Sequence, residues 1–374
     1  DERRRDRLGR PAEVAPTVAP GEVAARVRRD AERNVLRLRN GLKHIAGVGQ
    51  PQIMPTPKDT IWSFEKIQLW QYRSDNRTIG SPLLFVHSLV SRSYVFDLVP
   101  GNSVVQAFLD RGFDVYLVDW GVPDELEAGN TLSNYIDDYI PTLVREVSKA
   151  AGGADVTVFG YCYGGLLSLL SVAGNRDLPV QSLAVMATPV DFTPLGPLWT
   201  MIQPGRVEPA DVLDNTGNVP ADVMLNSIRS LAPLGDINSY VNLWQHLWDD
   251  EFVAAHQVMT QWSRDHIPFP GATFLEAAEL FSRRNLLPTG EVPVAGRTIE
   301  LADITVPFLS ILGEKDHIIP PSSTEVLTPL VGSDDVTEMR FPSGHVGLMI
   351  GRTAQRRNIP AMADWLESRA GASS

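Results

Sequence analysis

The chain has 374 residues, of which 43% are hydrophobic and 21% charged, so it is long enough to bury a substantial core and has the composition of a globular enzyme. Its net charge of −12 argues against general nucleic-acid binding, and its single cysteine excludes an intrachain disulfide and indicates a reducing, cytoplasmic compartment. The sequence has neither a run of about 18 apolar residues nor an apolar signal core, so we predict no membrane span and no secretion.

The first 55 residues are predicted to form a basic helical segment followed by a linker. Among residues 1–50, 12 are Lys or Arg and 7 are Asp or Glu, so this end of the chain is cationic although the whole is acidic. The apolar residues that recur between the arginines of residues 21–45 are Val23, Val27, Leu38, Leu42 and Ile45. Their spacing predicts an amphipathic helix. Such a helix either offers a surface to a partner, an acidic ligand or a lipid-coated particle, or simply packs on the domain.

Residues 56–192 are predicted to form the first part of an α/β core. Apolar and β-branched runs predict strands, and several of the segments between them have helical patterning. The predicted strands lie at residues 61–72, 82–87, 114–118, 156–159 and 181–186, and the predicted helices at 103–111, 133–150 and 166–172. Strands that alternate with helices indicate a mostly parallel sheet with helices on both faces.

The alternation stops after residue 192 and resumes near the C-terminus. Residues 193–302 lack short apolar strand runs and have helical patterns at 241–262 and 274–281, so we predict a mainly helical cap over the sheet. Residues 303–374 are predicted to be the second part of the core. Its predicted strands lie at 308–312 and 336–341, and its predicted helices at 323–330 and 354–369.

A glycine-flanked cysteine, Gly160-Tyr-Cys162-Tyr-Gly164, lies between a predicted strand and a predicted helix. This is the spacing of a nucleophile elbow, with cysteine where serine is usual. The flanking positions need glycine because the turn is sharp and a Cβ atom there would clash. Cys162 is therefore the candidate nucleophile. The alternative is a cysteine that only fills space in a glycine-rich turn, since free cysteine is often a small core residue.

A candidate acid and a candidate base each follow a predicted strand. They are Asp316 and His345, and loops at the carboxyl ends of parallel strands converge on one crevice. The order Cys162, Asp316, His345 is the chain order of the α/β-hydrolase triad. The thiol needs an imidazole to deprotonate it, and a carboxylate fixes the imidazole tautomer. Glu314 and His317 are the competing acid and base.

Two backbone N–H donors would be needed to stabilise the negative charge that develops on a substrate carbonyl. One should be the amide of Tyr163, directly after the nucleophile. The other should come from the loop after the first buried strand, where either Leu89 or Val90 would donate. We predict no metal site and no resident cofactor.

The use of cysteine as the nucleophile indicates acyl transfer. A serine acyl-enzyme is an ester, whereas a cysteine acyl-enzyme is a thioester with a reactivity close to that of an acyl-CoA. Loading from a coenzyme A thioester would then be nearly isoenergetic, and the intermediate would keep enough driving force to acylate an alcohol. A cap that keeps water out serves the same reaction, because water competes with the acceptor hydroxyl.

With these residues in place, residues 56–369 resemble the polyhydroxyalkanoate synthase family, most closely its short, class III type, which works with a separate partner subunit. The segments that carry the resemblance are residues 56–59, 89–98, 112–121, 188–192, 262–271, 285–287, 313–317 and 343–347. The chain departs from the family pattern at His87, at Ser91, where asparagine is usual, and at Tyr163, which is bulky for the position after the nucleophile.

The resemblance implies an α/β-hydrolase fold and an acyltransferase that polymerises (R)-3-hydroxyacyl-CoA into polyester with release of CoA. On the matching motifs, Cys162 would hold the growing chain as a thioester and His345 would activate it. Asp316 would assist the 3-hydroxyl of the bound acyl group in attacking the next thioester. Because the family is often dimeric and bound to polymer granules, the expected partners are a second copy of the chain, a partner subunit and a granule surface. The expected location is the cytoplasm or the granule.

Two other functions stay open on the sequence alone. The same triad is compatible with a cysteine-dependent thioesterase, a lipid acyltransferase or a polyester depolymerase, because fold does not decide chemistry. A granule-associated or scaffolding protein whose site has decayed is the third possibility. The products formed from a hydroxyacyl-CoA distinguish the enzymes from one another.

Overall fold

A computed structural model of the chain describes residues 28, 31–40, 53–231 and 243–371. Its centre is an eight-stranded sheet. The strands of this sheet are β1 (Lys58–Phe64), β2 (Ile67–Tyr72), β3 (Leu83–Val86), β4 (Val115–Asp119), β5 (Val156–Tyr161), β6 (Val180–Met186), β7 (Phe308–Gly313) and β8 (Val336–Phe341). Their order across the sheet is β1-β2-β4-β3-β5-β6-β7-β8.

The sheet is antiparallel only at one edge. The β1–β2 and β2–β4 pairs are antiparallel, and every pair from β4 to β8 is parallel. Every residue of β3, β5 and β7 is buried, as expected for parallel strands that are covered on both faces. The predicted α/β architecture, a mostly parallel sheet flanked by helices, is confirmed.

Residues 243–246 are helical, and nine further α-helices after residue 53 have bounds within the described residues. They are α1 (Val104–Asp110), α2 (Ile140–Ala150), α3 (Tyr163–Gly174), α4 (Pro197–Ile202), α5 (Ala221–Leu231), α6 (Asp250–Trp262), α7 (Gly271–Ala277), α8 (Pro321–Thr324) and α9 (Ile359–Ala370). π-helical turns precede α2 and α9 and follow α7, at Asn134–Tyr139, Ala354–Asn358 and Ala278–Arg283 respectively. They account for the longer helices that the sequence pattern predicts at these places.

Alternate residues of each buried strand face two separate hydrophobic layers. In β3, Leu84 and Val86 belong to the layer that contains α2 and α3, whereas Leu83 and Phe85 belong to the layer that contains α1 and α9. The period of two along a strand divides its side chains between the two faces, so a continuous apolar run is needed to fill both layers.

Three local predictions are corrected by the structure. The strand predicted at residues 61–72 is the β1–β2 hairpin, which turns at Glu65 with a φ of 51°. The helix predicted at 323–330 is the short α8 followed by a 3₁₀ turn at Thr328–Leu330. A hairpin that was not predicted, Glu291–Val294 with Arg297–Glu300, lies within the segment predicted to be mainly helical. The division of the chain at residues 192 and 302 stays a prediction.

The N-terminal residues 31–40 are helical and lie against the start of α6. The Arg39 guanidinium donates to Asp250 at 2.5 Å, and the Asn40 side-chain amide donates to the carbonyl oxygen of Leu247 at 2.8 Å. Leu38, predicted on an apolar face, is 68% exposed, because polar rather than apolar side chains make these contacts. The other residues of that predicted face, Val23, Val27, Leu42 and Ile45, lie outside the described residues. Within the described ranges, no helix is both long and apolar enough to cross a bilayer.

A buried carboxylate ties the start of the sheet to a short hairpin, Asp97–Val99 with Asn102–Ser103. Asp97 is fully buried and accepts hydrogen bonds from the amide and hydroxyl of Thr56, at 3.0 and 2.9 Å, and from the hydroxyl of Ser103 at 2.7 Å. Hydrogen bonds to a charged acceptor are stronger than neutral ones. Asp97 therefore holds the chain in place just before β1.

We predict that Asp97→Ala lowers the free energy of unfolding by about 3 kcal/mol, because buried donors of Thr56 and Ser103 lose their acceptor. The measurement is urea denaturation of the purified full chain. The matched control is Asp75→Ala at an exposed position, which should change stability by no more than about 0.5 kcal/mol. Equal stability of the two variants would contradict the role given to Asp97.

Candidate active site

Cys162 occupies the sharp turn between β5 and α3 in a strained backbone conformation. Its φ is 55° and its ψ is −122°, in a region that residues other than glycine rarely adopt. Its amide donates to the carbonyl oxygen of Met186 at the end of β6, at 2.8 Å. The side chain is only partly buried and lines a cavity, so the reading of Cys162 as a mere core residue is not supported.

Three glycines around the turn have no room for a side chain. A Cβ atom on Gly160 would lie 2.4 Å from the Cα of Gly165, and one on Gly165 would lie 2.0 Å from the hydroxyl of Thr188. A Cβ atom on Gly164 would lie 2.3 Å from the carbonyl oxygen of Val86. The sequence argument for glycine at 160 and 164 is therefore supported by the packing, and Gly165 meets the same constraint.

Asp316 and His345 form a buried hydrogen-bonded pair. Nδ1 of His345 lies 2.7 Å from Oδ2 of Asp316, so this nitrogen carries the proton and donates it to the carboxylate. Oδ1 of Asp316 accepts from the backbone amides of Ile318 and Ile319 at 2.8 and 2.9 Å. The other imidazole nitrogen is left for Cys162, whose side chain lines the same cavity as His345.

The charges around His345 favour its protonated form. Burial alone would lower the pKa of the imidazole, but the negative charge of Asp316, the electrostatic influence of Cys162 and the hydrogen bond to Asp316 raise the pKa from 6.5 to about 10. The attraction between protonated His345 and its negatively charged surroundings stabilises the folded state. Its contribution is fully present below pH 6.5 and is lost as the pH rises through about 10. His345 can therefore hold a proton beside Cys162 throughout the neutral range.

The competing acid and base point elsewhere. Glu314 and His317 are both exposed, whereas Asp316 is buried. The structure thus brings together Cys162, Asp316 and His345, the three residues chosen from the sequence, and leaves the two alternatives at the surface.

The predicted oxyanion donors belong to two segments, the start of α3 and the loop after β3. Tyr163 is the first residue of α3, where the backbone N–H has no partner within the helix. Val90 lines the cavity that contains Cys162, whereas the Leu89 side chain is buried in the core layer below. The choice between the amides of Leu89 and Val90 stays a prediction.

A cavity of about 170 Å³ surrounds the cysteine. Its walls come from the loop after β3, from the loops that carry the acid and the base, and from α5 and α6. The residues that line it are Ser88, Val90, Ser91, Tyr161, Cys162, Leu225, Ile228, Arg229, Met259, Trp262, Ser263, His266, Ile318, His345 and Val346. Across the described part of the chain, no cluster of three or more His, Cys, Asp or Glu side chains could hold a metal ion.

Two further residues support the site although the sequence assigned them no role. The ring of Tyr161 lies 5.1 Å from the ring of His345 and limits how the imidazole can turn. Burial lowers the pKa of His87 to about 4 despite its hydrogen bond to Ser91, so its imidazole is neutral. His87 Nε2 donates to the Ser91 carbonyl oxygen at 2.6 Å and closes the loop that carries Val90. Neither contact has a signal in the local sequence.

Residues 81–351 match the family described as the alpha/beta hydrolase fold. Among solved structures, a provisionally named lipase from Sulfolobus solfataricus is similar with a TM-score of 0.53 and 14% sequence identity, covering 83% of this chain and 93% of that chain. This likeness shows the fold alone. The chain is an α/β-hydrolase-fold protein that carries a cysteine at its nucleophile elbow.

Comparison with curated relatives identifies the family of this chain within the α/β-hydrolase fold class. The sequence is 34% identical over 341 residues to the PhaC subunit of poly(3-hydroxyalkanoate) polymerase from Allochromatium vinosum, covering 89% of this chain and 94% of the relative. It is 32% identical over 337 residues to the same subunit from Thiocystis violacea, with the same coverage. The chain belongs to the poly(3-hydroxyalkanoate) polymerase family and is an enzyme of the transferase class, as the resemblance implied.

We predict that Gly164→Ala destabilises the protein by about 1–3 kcal/mol, because the new methyl group cannot fit against the Val86 carbonyl. Urea denaturation of the full chain measures the loss. The matched control is Gly129→Ala, an exposed position where an added Cβ meets no atom within 4 Å. If both variants were as stable as the parent, the close approach at the elbow would be wrong.

We also predict that iodoacetamide alkylates Cys162 at pH 7 at least about tenfold faster in the parent than in Asp316→Asn. Asparagine removes the negative charge that favours the imidazolium, and a factor of ten corresponds to about 1.4 kcal/mol of interaction. The rate ratio should fall toward one as the pH passes about 10, where the imidazolium of the parent deprotonates. Cys162 is the only cysteine, so mass spectrometry of the intact protein measures one site.

The control for this labelling is His317→Gln, which changes the exposed neighbour of the acid and should react like the parent. Equal rates for the parent and Asp316→Asn across the whole pH range would show that the carboxylate does not act on the thiol through His345.

Proposed function

We propose that the chain polymerises (R)-3-hydroxyacyl-CoA into polyhydroxyalkanoate with release of CoA, through a thioester on Cys162. The single observation that carries this proposal is the strained Cys162 beside the hydrogen-bonded His345–Asp316 pair, in a chain that belongs to the poly(3-hydroxyalkanoate) polymerase family. Coenzyme A enters as part of the substrate, and the proposed reaction uses no resident cofactor and no metal.

In the proposed first half-reaction, His345 takes the proton of the Cys162 thiol and the sulfur attacks the thioester carbonyl of the substrate. The amides of Tyr163 and of Val90 or Leu89 stabilise the oxyanion, and the positive end of α3 favours the same charge. The bond from carbonyl carbon to CoA sulfur breaks, and the proton held by His345 leaves with CoA as its free thiol. The acyl group stays on Cys162.

In the proposed second half-reaction, the 3-hydroxyl of the acyl group on Cys162 attacks the thioester carbonyl of the next hydroxyacyl-CoA and forms the ester bond that lengthens the chain. The hydroxyl proton passes to a base and finally to the departing sulfur, so one CoA thiol is released for each ester formed. The family resemblance assigns the assistance of this hydroxyl to Asp316. Both carboxylate oxygens are engaged, by His345 and by the amides of Ile318 and Ile319, and these contacts favour an action through His345.

We also propose an oligomeric state, a partner and a location for this enzyme, on the basis of its family. They are a homodimer, a partner subunit of the class III type, and a location in the cytoplasm or at the surface of polymer granules. The basic helix at residues 31–40, which leaves Val35 and Leu38 exposed, is compatible with a surface contact of this kind. Light scattering of the purified chain, alone and with granules, measures dimerisation and granule binding.

We predict that the purified chain releases CoA from (R)-3-hydroxybutyryl-CoA, develops turbidity as polymer forms, and carries an acyl adduct on Cys162. A thiol reagent measures CoA, scattered light measures polymer, and mass spectrometry of digested protein locates the adduct. Cys162→Ala should release CoA at no more than about a thousandth of the parent rate, because the nucleophile is lost.

The products separate the proposal from its alternatives. Free hydroxy acid without insoluble polymer would favour a thioesterase, and degradation of added polyester would favour a depolymerase. CoA release by Cys162→Ala at the parent rate would refute the cysteine mechanism, and no reaction of the parent with any hydroxyacyl-CoA would favour a scaffolding protein.

A further inference from the structure

A second cavity, of about 230 Å³, lies next to the nucleophile elbow. Its wall includes Tyr163, the residue directly after Cys162, and Val90, which also lines the cavity around the cysteine. The two cavities therefore meet at the loop after β3 and at the start of α3. We call this second space the apolar cavity.

Helix α5 stands between the two cavities. Its residues Leu225 and Ile228 line the cavity around Cys162, whereas Val223 and Met224 line the apolar cavity. These two pairs lie on different faces of one amphipathic helix. None of the 11 residues of α5 is buried, so the partition is held by few tight contacts and a small shift of this helix would join the two spaces.

The lining of the apolar cavity determines what kind of molecule it can accept. Aromatic and aliphatic side chains form almost all of it, and no side chain among its described lining residues carries a charge. The phosphates of CoA would lose their hydration there without gaining a counter-charge, which is strongly unfavourable. An uncharged chain can enter such a space, because apolar cavities stay dry and bind apolar groups.

Two polar groups in this wall nevertheless lack a hydrogen-bond partner. The indole nitrogen of Trp199 and the hydroxyl of Tyr163 are buried, and neither is paired within the described residues. Buried polar groups are nearly always hydrogen-bonded in native proteins. Two unpaired donors in one wall therefore indicate that a ligand supplies their hydrogen-bond acceptors. The indole can only donate, and the hydroxyl can donate as well. A pure hydrocarbon would leave both unpaired.

We infer that the apolar cavity binds the ester-bearing section of the growing polyester chain next to Cys162, with Trp199 and Tyr163 donating to ester carbonyls. A polyester is uncharged, rich in acceptors and free of donors along its length, which matches both properties of the wall. The inference rests on the proposed function and adds the binding site of the product chain. It places CoA and polymer on opposite sides of α5.

The test uses full-length Cys162→Ala, which cannot turn over, and a methyl-capped linear trimer of (R)-3-hydroxybutyrate as the probe. A straight-chain hydrocarbon alcohol of the same length is the second probe. Calorimetry should show that removal of both donors, in Trp199→Phe with Tyr163→Phe, weakens trimer binding at least tenfold and changes alcohol binding less than twofold. Tyr163→Phe keeps the ring and its volume, and Trp199→Phe keeps an aromatic ring of smaller volume. Alcohol binding that changes less than twofold therefore reports that the cavity is intact.

Two further variants complete the design. Val223→Phe fills the apolar cavity and should weaken binding of both probes at least tenfold. Trp244→Phe changes an exposed tryptophan, 69% accessible, and should leave both dissociation constants unchanged. Trimer binding that is insensitive to the loss of both donors, or to Val223→Phe, would overturn the inference.

The reaction of the parent distinguishes this inference from the proposed function. If the parent releases CoA and forms polymer but the trimer binds without regard to Trp199, Tyr163 and Val223, only the apolar cavity is misassigned. If the trimer binds as expected and the parent forms no polymer from any hydroxyacyl-CoA, the cavity is an ester-chain site and the proposed polymerisation is wrong.

Discussion

The left-handed backbone at Cys162 is the constraint on which the rest of the site depends. A residue other than glycine at positive φ costs of order 1–3 kcal/mol and persists only where its surroundings over-determine it. Here the amide of Cys162 is bonded to Met186 at the end of β6, and Gly164 lies directly against the Val86 carbonyl at the end of β3. The turn can close only when these strands are in register. The position of the thiol therefore depends on the register of the parallel sheet.

The burial of Asp316 determines how the acid can act. Its side chain is removed from water, so its charge is screened little and acts strongly on the nearest imidazole. Two backbone amides and the ring of His345 occupy the carboxylate, and the ring of Tyr161 lies beside the imidazole. An imidazole fixed in this way can exchange a proton with the sulfur without reorientation. These charges and hydrogen bonds are in place before any substrate binds. Little energy is then needed to reorient polar groups during the reaction.

The residues that follow from a local pattern were predictable, and those that depend on packing were not. Cys162 is marked by the glycines around it, and Asp316 and His345 are marked by their positions just after buried strands. The turn at Glu65 was missed because the alternation of apolar residues continues on both sides of it. The contact of Tyr161 with His345 was missed because the two rings are distant in sequence and only the closed fold brings them together. The apolar cavity forms between packed helices. The sequence predicts that these helices are amphipathic, but it does not predict which elements they pack against.

The division of the active-site region by α5 bears on the choice between an alcohol and water as the acyl acceptor. A thioester on Cys162 is open to hydrolysis wherever water has access, and an apolar wall beside the elbow reduces that access. The cavity around the cysteine has polar side chains and Arg229 at its edge, whereas the apolar cavity has no charged side chain among its described lining residues. Under the proposed function, a charged CoA thioester and an uncharged chain would each find a space of matching polarity beside one sulfur atom. Under the same proposal, exclusion of water by the apolar wall would be the physical reason for the chain to grow by transfer rather than to end by hydrolysis.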